Sequence, residues 1–232
     1  MISNTHRTIF VHIPKVAGQS IETMFLNDLN LDWSERSKLL LRKKRFLEKG
    51  PLRLAHLKAH EYVDFNYIAE EEFNDFFKFS FVRNPYSRAY SYYKYLGYSK
   101  VCTFEYFVSN ILSKKIKQDE FFFVSQTNYL YDKKGKLLVD FVGKFENIKE
   151  DIKYVINKSN IKSKTLPHVN RSKNEIKRGI SKLIKTPSML LNISFNNPIY
   201  KNYREAYNKT TIELVSELYK EDLEKFQYTF DE

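Results

Sequence analysis

Thr8-Ile9-Phe10-Val11-His12-Ile13-Pro14-Lys15-Val16-Ala17-Gly18-Gln19-Ser20-Ile21-Glu22-Thr23-Met24-Phe25 is the stretch on which the fold turns. Its first half is a short run of β-branched and aromatic residues that stops at Pro14. Its second half resumes an apolar pattern at helical spacing through Ile21, Met24 and Phe25. The pattern predicts strand, tight loop, helix. Between strand and helix lie a lysine, a glycine able to flex and the Ser20 hydroxyl, so backbone N–H groups, a helix N-terminus and a cation can converge on one anion. The order Lys15, Gly18, Ser20 is not that of a Walker A loop, in which the lysine follows the glycines. On its own the string also fits an ordinary strand-to-helix turn with a solvated lysine.

A second stretch, Phe79-Ser80-Phe81-Val82-Arg83-Asn84-Pro85-Tyr86-Ser87-Arg88-Ala89-Tyr90-Ser91, repeats the arrangement. The apolar run reads as a buried strand, and Pro85 falls at a first helical position, where its missing N–H costs nothing. Arg83 leaves the strand end and Ser91 lies about two turns into the helix, so both are candidates for one phosphate.

Together the two stretches resemble the cofactor motifs of sulfotransferases that use 3′-phosphoadenosine 5′-phosphosulfate (PAPS), in the carbohydrate sulfotransferase branch (sulfotransferase family 2). The likeness extends through Ala55-His56 to Glu61, Gln126, Asp140 to Asn147, Leu166 to Ser172, and Tyr219 to Tyr228, nearly the whole chain. It implies a single sulfotransferase domain over 1–232 with an α/β, P-loop-like three-layer fold, a central parallel sheet flanked by helices. It implies PAPS as donor, adenosine 3′,5′-bisphosphate as product, and a glycan or glycoconjugate acceptor, anionic ones included. Lys15, Ala17, Gly18, Gln19 and Ser20 are expected at the phosphosulfate, Arg83 and Ser91 at the 3′-phosphate, and Asn170 and Ser172 in a loop closing over the nucleotide; a plain surface loop fits Leu166 to Ser172 equally well.

A sugar hydroxyl is too weak an acid to ionise unaided near neutral pH, so transfer to it wants a general base, and histidine titrates in the right range. The resemblance places that role on His56, with Glu61 in reserve and His60 at the surface. Lys15 is the expected catalytic cation, and no metal is required.

The formal charge of +11 favours anionic partners. Nucleic acid would fit the charge, yet no Cys/His finger, basic zipper or aromatic RNA-binding motif is present, so no nucleic-acid partner is expected. With one cysteine, Cys102, no intramolecular disulfide can form, and no apolar run nears the roughly 20 residues of a membrane span. A cytoplasmic protein without a transmembrane segment is the expectation. A nucleotide-dependent phosphotransferase, or a non-catalytic nucleotide- or polyanion-binding protein, are the other classes that fit.

Elsewhere, Ser34 to Lys49 reads as a basic surface helix, either a solvated face or a glycan-binding strip, ended by Gly50-Pro51. Thr103 reads as the N-cap of a helix carrying Phe104, Phe107, Val108 and Ile111. Leu137 to Phe145 reads as a buried strand, Lys173 to Pro198 as a basic insertion, and Lys209 to Phe226 as a helical cap on the core.

Overall fold

The computed structural model describes residues 1–163, 165–167, 169, 175–185 and 191–231, with backbone only at 175 and 182–185. It is a mixed α/β protein, a four-stranded sheet flanked by helices, and its contacts divide it into two units, 1–83 with 126–169 and 84–125 with 170–232.

The first unit holds the sheet. Strands β1 (Ile2–Ser3), β2 (Thr8–Phe10), β3 (Phe77–Val82) and β4 (Phe141–Lys144) lie in that spatial order. β2, β3 and β4 run parallel, as the apolar runs imply, because strands covered on both faces need not alternate with polar residues. β1, at the edge, was not anticipated: it pairs antiparallel to β2, Ile2 opposite Ile9, joined by a short turn in which the Arg7 amide donates to the Asn4 carbonyl (3.1 Å). A link that short can only reverse the chain, since a parallel pair needs a crossover of a dozen residues or more.

The core is aromatic along the strand register. Phe10 lies opposite Phe79, their rings stacked at 4.9 Å, and Phe79 in turn faces Phe141. Phe10, Phe79 and Phe81 are wholly buried. β4 is shorter than expected, with Phe141 and Val142 only half-buried, as befits an edge strand. The helix Gly18–Asp28 follows β2, and the helix Ile148–Lys158 follows β4 with Ile152 and Val155 buried.

The expected helix over Ser34 to Lys49 is not formed. A 3-10 turn, Trp33–Leu39, stops where Leu40 takes φ 63°, and the chain then folds back on itself with Lys43 bridged to Arg53. Within the folded-back segment Arg42 and Glu48 form a forked pair, at 2.6 Å on both arms.

The second unit is helical. Asn84 caps the helix Pro85–Tyr95 by accepting from the Tyr86 amide at 3.0 Å, with Pro85 at the first position, and the helix ends before Gly97 at φ 82°. Thr103 caps the next helix as expected, and Phe104, Phe107, Val108 and Ile111 are buried. The tyrosines are packing residues whose hydroxyls find buried acceptors: Tyr93 donates to the Cys102 carbonyl (2.8 Å) and Tyr219 to the Phe123 carbonyl (2.7 Å). Arg88 is 1% exposed; it donates to the Val124 carbonyl and lies 3.9 Å from the fully buried Asp222, so it is a core ion and not a surface cation. The expected C-terminal cap is two helices, Lys209–Leu218 and Lys220–Phe226. Among the described residues no helix is long and apolar enough to cross a membrane.

Candidate active site

β2 and β3 are adjacent and parallel, so the turn after β2 and the residue after β3 emerge at the same, carboxyl edge of the sheet, where open α/β sheets receive ligands. Val11 still pairs, donating to the Phe79 carbonyl at 2.9 Å. The chain then turns through Pro14 to Ser20. The turn is made by Lys15 (φ 74°) and Ala17 (φ 64°), both left-handed, whereas Gly18 is not. Gly18 therefore does not serve as the flexible residue that the sequence suggested. Its role is clearance: a Cβ there would lie 1.8 Å from His12 Nε2 and 2.2 Å from its Cδ2.

Two left-handed residues leading into a helix turn successive amides toward the same side. The Ser20 and Ile21 amides are used inside the turn, donating to the Ala17 carbonyl. Among the described residues, no protein acceptor faces the amides of Val16, Ala17, Gly18 and Gln19. Four donors at a helix N-terminus fit a phosphate or sulfate group by chemistry as well as by charge. Ser20 is buried and its Oγ accepts from the Val169 amide at 3.4 Å; Gln19 is half-buried.

Arg83 is brought to this turn, its Nη1 donating to the Lys15 carbonyl at 3.2 Å, with the guanidinium 4.3 Å above the Phe145 ring. Its backbone is gripped by the buried Gln126 side chain, which accepts from the Arg83 amide and donates to the Arg83 carbonyl, each at 2.8 Å. Gln126 and Phe145 thus position a cation that the sequence placed only by its strand-end location.

His56 sits beside the same strand end. Its Nδ1 is 2.9 Å from the His12 carbonyl, an acceptor, so Nδ1 carries the proton and Nε2 the lone pair. Its pKa is held well below the ordinary histidine value, by burial first and by His12 second. At neutral pH the ring is an uncharged base. His12, to which the sequence reading gave no role, organises the cluster: its ring lies 4.4 Å from that of His56 and stacks on Phe10, and its Nδ1 donates to the buried Glu22 at 2.6 Å. Glu22 was the available signal, an acidic residue amid the apolar face of Ile21, Phe25 and Leu26.

The His60 side chain is at the surface, as expected, and paired with Asp64, and the Glu61 carboxylate accepts from the Lys58 amide at 2.8 Å. Ser91 is half-buried on the helix Pro85–Tyr95 of the second unit. Asn170 and Ser172 lie outside the described residues. A surface cavity of about 280 Å³ beside His6 and Asp28 opens at the other end of β2, away from these groups.

A sequence model of the sulfotransferase family matches residues 1–229. No curated protein and no solved structure matches the chain.

Proposed function

The chain belongs to the sulfotransferase family, and from that premise we propose that it is a PAPS-dependent O-sulfotransferase that sulfates a carbohydrate hydroxyl. In this reading the chain is one P-loop-like catalytic domain over 1–232, and it works in the cytoplasm. Family membership supports sulfuryl transfer. The observation that carries the assignment of the site is the turn after β2, whose four amides meet no protein acceptor among the described residues and whose Lys15 carbonyl accepts from Arg83.

When bound, PAPS supplies an activated sulfuryl group on a phosphate leaving group. The amides of Val16 to Gln19, with Lys15 and the Ser20 hydroxyl, hold the phosphosulfate, and Lys15 offsets charge on the departing oxygen. Arg83 and Ser91 hold the 3′-phosphate, which distinguishes PAPS from ATP. His56 receives the acceptor proton at Nε2. Its depressed pKa keeps it deprotonated at neutral pH, at some expense in basicity. The acceptor is a glycan or glycoconjugate.

Incubation with [35S]PAPS and fractionated glycan and glycolipid extracts tests the reading. Transfer of label to a carbohydrate fraction, lost on periodate-sensitive removal of that fraction, is the expected result. Label transferred from γ-labelled ATP and not from PAPS would make the protein a phosphotransferase instead.

A further inference from the structure

The folded-back segment Arg42 to Arg53 ends in two large apolar side chains held in water: Phe46 is 98% exposed and Leu47 is 90% exposed. Single exposed hydrophobics are ordinary, but an adjacent pair at the tip of a projection is not. Nor is the projection slack. The Lys44 amide donates to the Leu52 carbonyl (3.1 Å), the Leu54 amide to the Arg42 carbonyl (3.0 Å), and the Tyr67 hydroxyl to the Lys49 carbonyl (2.7 Å). The Arg42–Glu48 fork closes the tip from beneath, with the Arg45 amide donating to the same carboxylate at 2.6 Å.

Around this apolar pair the segment carries six cations against one carboxylate, and that carboxylate is already paired with Arg42. Lys43, Lys44, Arg45, Lys49 and Arg53 are all exposed. A partner that satisfies both features has anionic groups at its surface and an apolar layer directly beneath. A free polyanionic glycan would answer the cations and leave Phe46 and Leu47 in water; a second copy of the finger would set like charges face to face.

We propose that the finger Arg42 to Arg53 docks the protein onto an anionic lipid surface, with Phe46 and Leu47 entering the acyl boundary and the lysines and arginines lying among the headgroups. The docking is independent of turnover, so it stands or falls apart from the transfer reaction proposed above.

Sedimentation of the full chain with vesicles tests it, using phosphatidylcholine alone and phosphatidylcholine mixed with phosphatidylglycerol. The protein should pellet with the mixed vesicles, and added salt should release it. The double variant Phe46→Ser/Leu47→Ser should bind at least about tenfold more weakly, and Lys43→Gln/Lys44→Gln about 25-fold more weakly, at roughly fivefold per cation. Because all four side chains are exposed, both variants should keep the parental Tm. Failure to bind mixed vesicles overturns the proposal. So does binding that both variants retain in full, or a finger that instead binds a sulfated polysaccharide with Phe46 and Leu47 dispensable. Self-association that the serine variant abolishes, without vesicle binding, would likewise replace it with a dimer interface.

Discussion

Replacing Gly18 with alanine separates two opposite expectations. Gly18 is the first residue of its helix and does not take a positive φ, so on backbone grounds alone alanine should stabilise by up to about 1 kcal/mol. The new Cβ, however, would stand 1.8 Å from His12 Nε2 and 2.3 Å from Cε1. The ring cannot swing aside cheaply, because Nδ1 is bound to the buried Glu22 at 2.6 Å and the ring faces are against Phe10 and His56. Overpacking of this kind costs about 1–3 kcal/mol, and stretching a buried bond to a carboxylate adds about 1 kcal/mol. Less the helical gain, Gly18→Ala should lose about 2 kcal/mol, a fall in Tm of roughly 4–8 °C for a chain of this size. Thermal and urea unfolding of the two proteins measure it. A variant as stable as the parent or more so would refute the close approach of His12 to Gly18, and with it the account of why a glycine stands there. In a double-mutant cycle the cost of Gly18→Ala should vanish in a His12→Ala background, since the clash is then gone, although His12→Ala itself destabilises by leaving the buried Glu22 without its partner.

Lys15→Ala should reduce sulfuryl-transfer turnover by about 10²- to 10³-fold while leaving the fold intact; parental turnover would remove Lys15 from the reaction. His56→Ala should lose roughly 10²- to 10⁴-fold in turnover and His60→Ala almost none, and an inactive Glu61→Ala beside an active His56→Ala would move the base to Glu61. The parental pH–rate profile should rise through a limb lying below about 6.5, because His56 is depressed on folding. The same shift has a stability sign: above about 6.5 the ring is neutral folded or unfolded, and as pH falls below that value the unfolded chain takes the proton first, so stability declines. A limb above 7 would contradict the buried, neutral placement of His56. Asp222→Ala should destabilise by about 3 kcal/mol, because Arg88 then stays buried without its carboxylate, and equilibrium unfolding would show it.

How much of this was legible beforehand depends on how local each feature is. Strand, turn and helix around Lys15, the helix start at Pro85 and the cap at Thr103 follow from rules that span a few residues, and each is where the sequence put it. Ser34 to Lys49 misled because Leu39, Leu40, Leu41, Phe46 and Leu47 match a helical period. The period presumes a core to receive those side chains; Leu39 and Leu41 are buried, whereas Phe46 and Leu47 meet only solvent. The candidate cluster was half legible. His56 and Glu61 could be nominated by type, but their difference lies in what each already binds, the His12 carbonyl in one case and the Lys58 amide in the other. The role of Gly18 was read correctly as a need for glycine and wrongly as a need for flexibility, since only the folded position of His12 reveals the need for space.

Under the proposed function, the turn from Lys15 to Ser20, with Arg83 and Ser91, holds a nucleotide through its phosphates. Calorimetric titration with adenosine 3′,5′-bisphosphate, set against AMP and ATP, tests it most directly, in the parent and in Arg83→Ala, Ser91→Ala and His56→Ala. The bisphosphate should bind tightly, with binding weakened severely by removal of the 3′-phosphate or of Arg83, a smaller loss with Ser91→Ala, and nearly unchanged affinity in His56→Ala. ATP or AMP binding as tightly as the bisphosphate, or a bisphosphate affinity indifferent to Arg83, would contradict it.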